Sequence, residues 1–295
     1  MFDGLCAFPL TPVSEDGLDE AAFVHLVSRI AAAGVASIGV LGSTGIYPYL
    51  SRGERRTVLE AAVGAAGGTP VIAGIGALRT RDVLAHVEDA QAAGAAALLL
   101  APVSYQRLTE EEVYGLYRDV SEASSVPVVV YDNPTTTAFT FTDELHGRIA
   151  ALPRIAAIKI PPPPAGTAAG RVAKLRKVLP DRVSVGISGD WAAAEALLGG
   201  CDGWYSVIAG VLPGPAQAIA DAALGGRADA AGKASAALEP LWALFRAHGS
   251  LRVAAAIAAD LGLVTDPCLP LPLRGLDEPV RAEVRDALRL AGVTG

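Results

Sequence analysis

One lysine stands apart in this sequence. Lys159 falls within Ile155-Ala-Ala-Ile-Lys-Ile160, an otherwise apolar run, whereas Lys174, Lys177 and Lys233 lie on helical stretches. The chain holds four lysines against twenty arginines. An arginine stays protonated and cannot serve as an amine nucleophile; a buried lysine can lose its proton and attack a carbonyl. The competing reading is a strand-end lysine whose head reaches solvent. Tyr131 closes the preceding apolar run, Val128-Val-Val-Tyr131. A phenol there can shuttle protons for carbonyl chemistry, or it is a rim tyrosine with a satisfied hydroxyl. Gly42-Ser43-Thr44-Gly45 follows an earlier run. Its backbone N–H groups and two hydroxyls suit a carboxylate, although turns of this composition are common.

These residues need elements that bring them together. Short apolar runs occur at Leu5–Leu10, Val35–Leu41, Val71–Ile75, Ala97–Ala101, Val126–Tyr131, Ile155–Ile160, Val183–Ile187 and Gly203–Val207. Most are continuous in apolar residues rather than alternating, as expected for parallel strands covered on both faces. Amphipathic stretches separate them. In residues 19–33, Phe23, Leu26, Val27, Ile30 and Ala31 share a helical face, and Gly34 is placed to end the helix. Ser51 with Glu54 and Thr109 with Glu112 have capping-box spacing, and Thr80 and Thr142 are candidate N-caps.

Eight strand–helix units predict an α/β fold, a closed (β/α)8 TIM barrel over residues 1–226. An open doubly wound sheet is the alternative, weakened because no Gly-x-Gly-x-x-Gly follows the first strand. Residues 227–295 read as helices only, over 228–247, 250–261 and 277–291, forming a C-terminal helical extension packed on the barrel. In such a barrel the C-terminal strand ends carry the chemistry. Those ends bring forward Thr11, residues 42–45, Gly76, Ser104, Tyr105, Tyr131, Asn133, Lys159, residues 188–190, Tyr205 and Ser206.

The composition excludes several classes. A net charge of −7 without a basic face argues against nucleic acid as partner. Cys6, Cys201 and Cys268 are odd in number and widely spaced, which predicts free thiols in a reducing, cytoplasmic setting. Residues 30–51 carry no charge and are long enough to span a bilayer. Four glycines, Pro48 and several hydroxyl residues instead predict a helix end, a buried strand and a loop, with no membrane partner. His25, His86, His146 and His248 lack ligand spacing, so no metal site is expected. Neither a nucleophile elbow nor a P-loop is present.

Taken in order, the segments at residues 7–12 (Ala-Phe-Pro-Leu-Thr-Pro), 42–45, 70–76, 131–134 (Tyr-Asp-Asn-Pro), 158–159, 188–190 (Ser-Gly-Asp) and 203–210 resemble the dihydrodipicolinate synthase / N-acetylneuraminate lyase family of Schiff-base aldolases. The resemblance runs almost end to end. It implies that Lys159 forms the Schiff base, that Tyr131 transfers protons with Ser43 joining the relay, and that Gly42, Ser43 and Thr44 hold a keto-acid carboxylate. Tyr205 would touch the bound keto acid through its backbone. No cofactor is implied, and a homotetramer is expected.

The departures bear on the second substrate. Ile46 and Ile160 stand where the family often has Glu, and Pro161–Pro164 follows. Thr136 occupies the place of an arginine that, in dihydrodipicolinate synthases, binds the carboxylate of the aldehyde. Val103-Ser104-Tyr105 replaces a tyrosine pair, which makes Tyr105 the candidate for the tyrosine supplied across the dimer interface. The reading is therefore an enzyme, a class I lyase or aldolase acting on pyruvate or a related 2-keto acid and an aldehyde by addition, cleavage or dehydration. Three rivals accompany it: a true 4-hydroxy-tetrahydrodipicolinate synthase, a catalytically silent metabolite-binding barrel, and a phosphate-binding barrel using residues 186–189 and the last strand.

Overall fold

The computed structural model describes residues 1–293. Eight parallel strands form a closed barrel: β1 (Gly4–Ala7), β2 (Ser37–Val40), β3 (Val71–Gly74), β4 (Ala97–Leu100), β5 (Val128–Tyr131), β6 (Ile155–Ile160), β7 (Ser184–Ile187) and β8 (Gly203–Ser206). Closure is explicit in the register. β1 pairs with β8 through Gly4↔Gly203 and with β2 through Cys6↔Ser37. That leaves no free edge and removes the open-sheet alternative. The strands are shorter than the apolar runs that announced them. β1 stops at Ala7 because Pro9 and Pro12 lack the N–H a ladder needs.

Helices return the chain between strands: α1 (Glu20–Ala32), α2 (Arg52–Ala65), α3 (Thr80–Ala92), α4 (Glu110–Ala123), the four-residue α5 (Pro134–Thr137), α6 (Asp143–Ala150), α7 (Ala168–Arg176), α8 (Ala193–Leu198) and α9 (Pro213–Leu224). α1 buries Phe23, Leu26, Val27 and Ile30 as its periodicity requires. Both capping boxes are formed, at Ser51/Glu54 and Thr109/Glu112, and Thr142 caps α6 through Leu145 N–H. Thr80 does not cap α3. The helix begins one residue earlier than a Thr80 cap would allow, since Asp82 N–H already bonds Arg79 C=O, so Arg79 takes the cap position.

The residues 30–51 divide into the end of α1, strand β2, a turn and a 3-10 turn over Tyr47–Tyr49. Among the described residues no helix is long and apolar enough to cross a membrane.

Four more helices follow: α10 (Ala228–Ala237), α11 (Glu239–His248), α12 (Ser250–Asp260) and α13 (Glu278–Leu290). The single helix expected over 228–247 is broken at Leu238. Pro240 has no N–H to continue the ladder, and its ring would meet the carbonyl four residues back. Leu241, Trp242, Phe245, Val253 and Ile257 are buried in the same apolar cluster as the barrel helices. The extension is thus one core with the barrel; its last two residues, Thr294 and Gly295, lie outside the described region.

A second, smaller cluster fills the barrel interior and includes Phe8, Ile72, Leu99, Val129, Tyr131 and Tyr205. Two glycines make room for it. A Cβ on Gly39 would sit 2.2 Å from the Phe8 ring, and one on Gly186 2.3 Å from the Tyr205 ring. The aromatic floor beneath the barrel mouth therefore depends on missing side chains on β2 and β7.

Candidate active site

Lys159 lies on β6 and its register partner on β5 is Tyr131. Residues opposite each other on neighbouring parallel strands project from the same face, so both side chains enter the barrel together. Lys159 is 5% exposed. Its Nζ lies 4.0 Å from the Tyr131 ring centroid, 4.3 Å from that of Phe8 and 5.6 Å from that of Tyr205. The solvent-reaching lysine is thereby excluded. The amine is enclosed by ring faces, which exclude water and fix its position.

The Tyr131 hydroxyl has two polar neighbours. Asn133 Nδ2 donates to it at 2.9 Å, and Ser43 Oγ lies 3.3 Å away. An amide N–H can only donate, so the phenol oxygen accepts from Asn133 and its own proton is free for Ser43 or a reacting atom. The sequence had placed Asn133 at the rim without a role. Its signal was position: two residues beyond the strand-end tyrosine, it returns to the same face.

Ser43 and buried Thr44 sit in the turn leaving β2. Leu41 and Ile46 flank that turn with φ of 56° and 49°. These are left-handed values that residues other than glycine seldom adopt, the β-branched Ile46 least of all. The turn also presses on β3: a Cβ at Gly74 would stand 1.8 Å from Leu41 O, so no other residue fits there without moving the turn. Thr11 Oγ1 donates to Gly45 C=O at 3.0 Å and closes its far side. Gly42 lies against the Phe8 ring.

Tyr205 is buried below Lys159, its hydroxyl without a hydrogen-bond partner among the described residues, and burial holds its phenol well above the usual tyrosine range. Its ring lines the barrel interior, its centroid 5.6 Å from the Lys159 amine. Beyond it, Asp190 accepts from Trp204 Nε1 (2.9 Å), Val207 N–H (3.1 Å) and Ile208 N–H (2.7 Å). This staples the exit of β8 and explains why the Ser-Gly-Asp segment belongs to the barrel mouth.

Two expected residues stand apart from this group within the chain. Tyr105 is 91% exposed. Thr136 is exposed, and its hydroxyl approaches only Asn133 C=O at 3.5 Å, where Thr137 Oγ1 also donates at 3.0 Å. Tyr47 was missed. Its ring borders both Tyr131's surroundings and a neighbouring cavity of about 490 Å³ lined by Arg55, His86 and Val103. Arg55 donates to the carbonyls of Gly74 and Gly76, and burial draws its guanidinium down to about 10.

The three cysteines are free and buried. Burial raises Cys6 to about 11, Cys201 to about 12 and Cys268 to about 11, so none is a thiolate nucleophile near neutrality.

An amine, a phenol and a hydroxyl converging at the C-terminal mouth of a closed parallel barrel define the aldolase type of lyase. Comparison with known proteins makes this specific: the chain belongs to the dihydrodipicolinate synthetase family, whose model matches residues 1–291. It is 49% identical to a solved dihydrodipicolinate synthase from Agrobacterium tumefaciens, with 98% of each chain covered and a TM-score of 0.96. A dihydrodipicolinate synthase from Acinetobacter baumannii, solved with pyruvate, is 28% identical over 100% of both chains, with a TM-score of 0.91. The 4-hydroxy-tetrahydrodipicolinate synthase of Phenylobacterium zucineum is 32% identical over 99% of this chain and 98% of its own length.

Proposed function

We propose that the protein joins or cleaves carbon–carbon bonds through an imine between Lys159 and the C2 ketone of pyruvate or a related 2-keto acid. The observation that carries this is the Lys159 amine set 4.0 Å over the ring of Tyr131, whose hydroxyl meets Ser43 and Asn133. The neutral amine adds to C2 and gives a carbinolamine. Tyr131 delivers the proton with which water leaves, and the resulting iminium draws electrons as a C3 proton departs. The enamine adds to an aldehyde carbon, and hydrolysis frees the product and Lys159. No cofactor enters, because the iminium itself is the electron sink. Gly42, Ser43 and Thr44 hold the keto-acid carboxylate, and the backbone of Tyr205 borders it. The metabolite-binding and phosphate-binding alternatives leave this pairing of Lys159 and Tyr131 without use.

The aldehyde is one that carries no carboxylate of its own. Thr136 supplies a hydroxyl turned back on its own helix, which cannot replace the bidentate contact of a guanidinium. The names of the relatives favour a second reading, 4-hydroxy-tetrahydrodipicolinate synthesis. Turnover of pyruvate with aspartate semialdehyde, set against uncharged aldehydes, separates the two. Faster turnover with an uncharged aldehyde supports the first reading, and preference for aspartate semialdehyde establishes the second.

The assembly inferred is a cytoplasmic homotetramer. Tyr49, Leu78 and Tyr105, on successive loops beside the cavity, are exposed in the single chain. Such a patch suits a second copy, with Tyr105 reaching toward the neighbour's site.

A further inference from the structure

Behind Tyr131, on the outer side of β5, lies a titratable pair that the reaction does not use. His146 on α6 is completely buried, and Asp132 nearly so. His146 Nε2 stands 3.5 Å from Asp132 Oδ2. Apart from this approach, Asp132 Oδ1 and both ring nitrogens of His146 have no hydrogen-bond partner among the described residues. The imidazole is stacked on Phe141, ring centroids 4.9 Å apart and planes 1° from parallel. Asp132 N–H donates to Lys159 C=O at 3.0 Å, so this residue is tied to both catalytic strands and sits between Tyr131 and Asn133.

Two buried polar side chains that face each other and little else must satisfy one another. Each alone would be an uncompensated group in an apolar shell. We propose that Asp132 and His146 are positioning residues that share one proton, carried by the carboxyl, as an uncharged pair fixing the Tyr131–Asn133 corner of the site. The charged and titratable groups around them are few. Tyr117 on α4 gives its proton to Leu100 C=O, and Arg171 on α7 is paired with Asp143 on α6. Inside the barrel, Lys159 and Tyr131 lie on the opposite face of the strands.

Burial moves the two groups in opposite directions. It raises Asp132 to about 7 and lowers His146 to about 4, with Arg171 a smaller influence on each. In the unfolded chain the order is reversed, with Asp near about 3.9 and His near about 6.5. Between about pH 4 and 6.5 the folded pair therefore holds one proton on Asp132, and the unfolded pair holds one on His146. Folding changes the proton's place and not its number, so the pair gives no net slope of stability with pH.

Single substitutions expose the two halves. In Asp132→Asn, His146 remains alone. The unfolded chain takes a proton below about pH 6.5 that the folded chain refuses until about 4, so stability falls as pH falls. In His146→Phe, Asp132 remains alone. The folded chain keeps a proton to about pH 7 that the unfolded chain loses near about 4, so stability falls as pH rises.

The test is thermal unfolding from pH 4.5 to 7.5 of the full chain, both single variants and the double variant. The expected result is midpoint slopes of opposite sign for the two single variants relative to wild type, and a slope restored to that of wild type in the double. Single variants that run parallel to wild type overturn the proposal. Should His146→Phe fail to fold, nitrogen chemical shifts of the His146 ring in the wild-type protein decide: a neutral imidazole at pH 5.5 supports the shared proton on Asp132, and an imidazolium refutes it.

The positioning role rests on the proposed function and has its own readout. The rate of borohydride-trapped adduct formation with pyruvate should show an inflection near pH 7 that Asp132→Asn removes. An inflection that persists overturns the role. Unfolding and ring shifts need no substrate, so they stand even if no 2-keto acid reacts. Adduct formation without the expected slopes leaves the proposed function intact and removes the pair.

Discussion

At the scale of single residues, the chemistry depends on what surrounds an amine. Lys159 meets ring faces, and the phenol that shares its register is oriented by Asn133 and Ser43. Replacing Tyr131 by Phe keeps the ring over Lys159 and deletes only the proton. Turnover should then fall roughly 100-fold or more, while borohydride still traps some imine. Asn133→Ala removes the donor that fixes the phenol and should cost less, about tenfold, seen in kcat rather than KM. Lys159 was legible as a lysine in an otherwise apolar strand and Tyr131 as a phenol closing the strand before it, whereas Ser43, in a turn of common composition, was legible only through the family resemblance. Asn133 was legible in place, two residues beyond Tyr131, but not in role. Tyr47 and the Asp132–His146 pair were not legible, because their meaning lies in contacts between separate loops and helices, and His146 reads simply as one more histidine on a helix.

At the scale of elements, the site depends on turns that are held from behind. Gly74 admits Leu41 O where a side chain would stand. Gly74→Ala should displace the turn at residues 42–45 and destabilise by roughly 1–3 kcal/mol in urea unfolding, with loss of adduct yield beyond the loss of stability. Asp190 holds three donors, two of them buried, at the exit of β8. Asp190→Ala leaves them unpaired and should cost about 3 kcal/mol by the same measurement. The strands and most helices were readable from apolar runs and caps. The failures were local: Thr80 competes with Arg79 for one cap, and Pro240 divides a helix whose Ala-rich flanks carry no other break.

At the scale of the whole molecule, a closed barrel leaves its chemistry at one mouth, and that mouth carries exposed Tyr49, Leu78 and Tyr105. Light scattering should find four chains per particle. Tyr105→Ala should lower turnover without changing the fold seen by circular dichroism if Tyr105 enters a neighbour's site, and should leave turnover unchanged if it does not. The barrel itself was legible from eight apolar runs alternating with amphipathic ones. Closure was expected too, because no Gly-x-Gly-x-x-Gly run supports the open sheet; only its register, β1 paired with both β2 and β8, is encoded by no local pattern.

The proposed chemistry stands or falls with the covalent bond at Lys159. Protein mixed with pyruvate, reduced with borohydride, digested and analysed by mass spectrometry should carry a reduced adduct on the Lys159 peptide and nowhere in Lys159→Ala. An unmodified Lys159 peptide, with pyruvate and with a panel of longer 2-keto acids, contradicts the account.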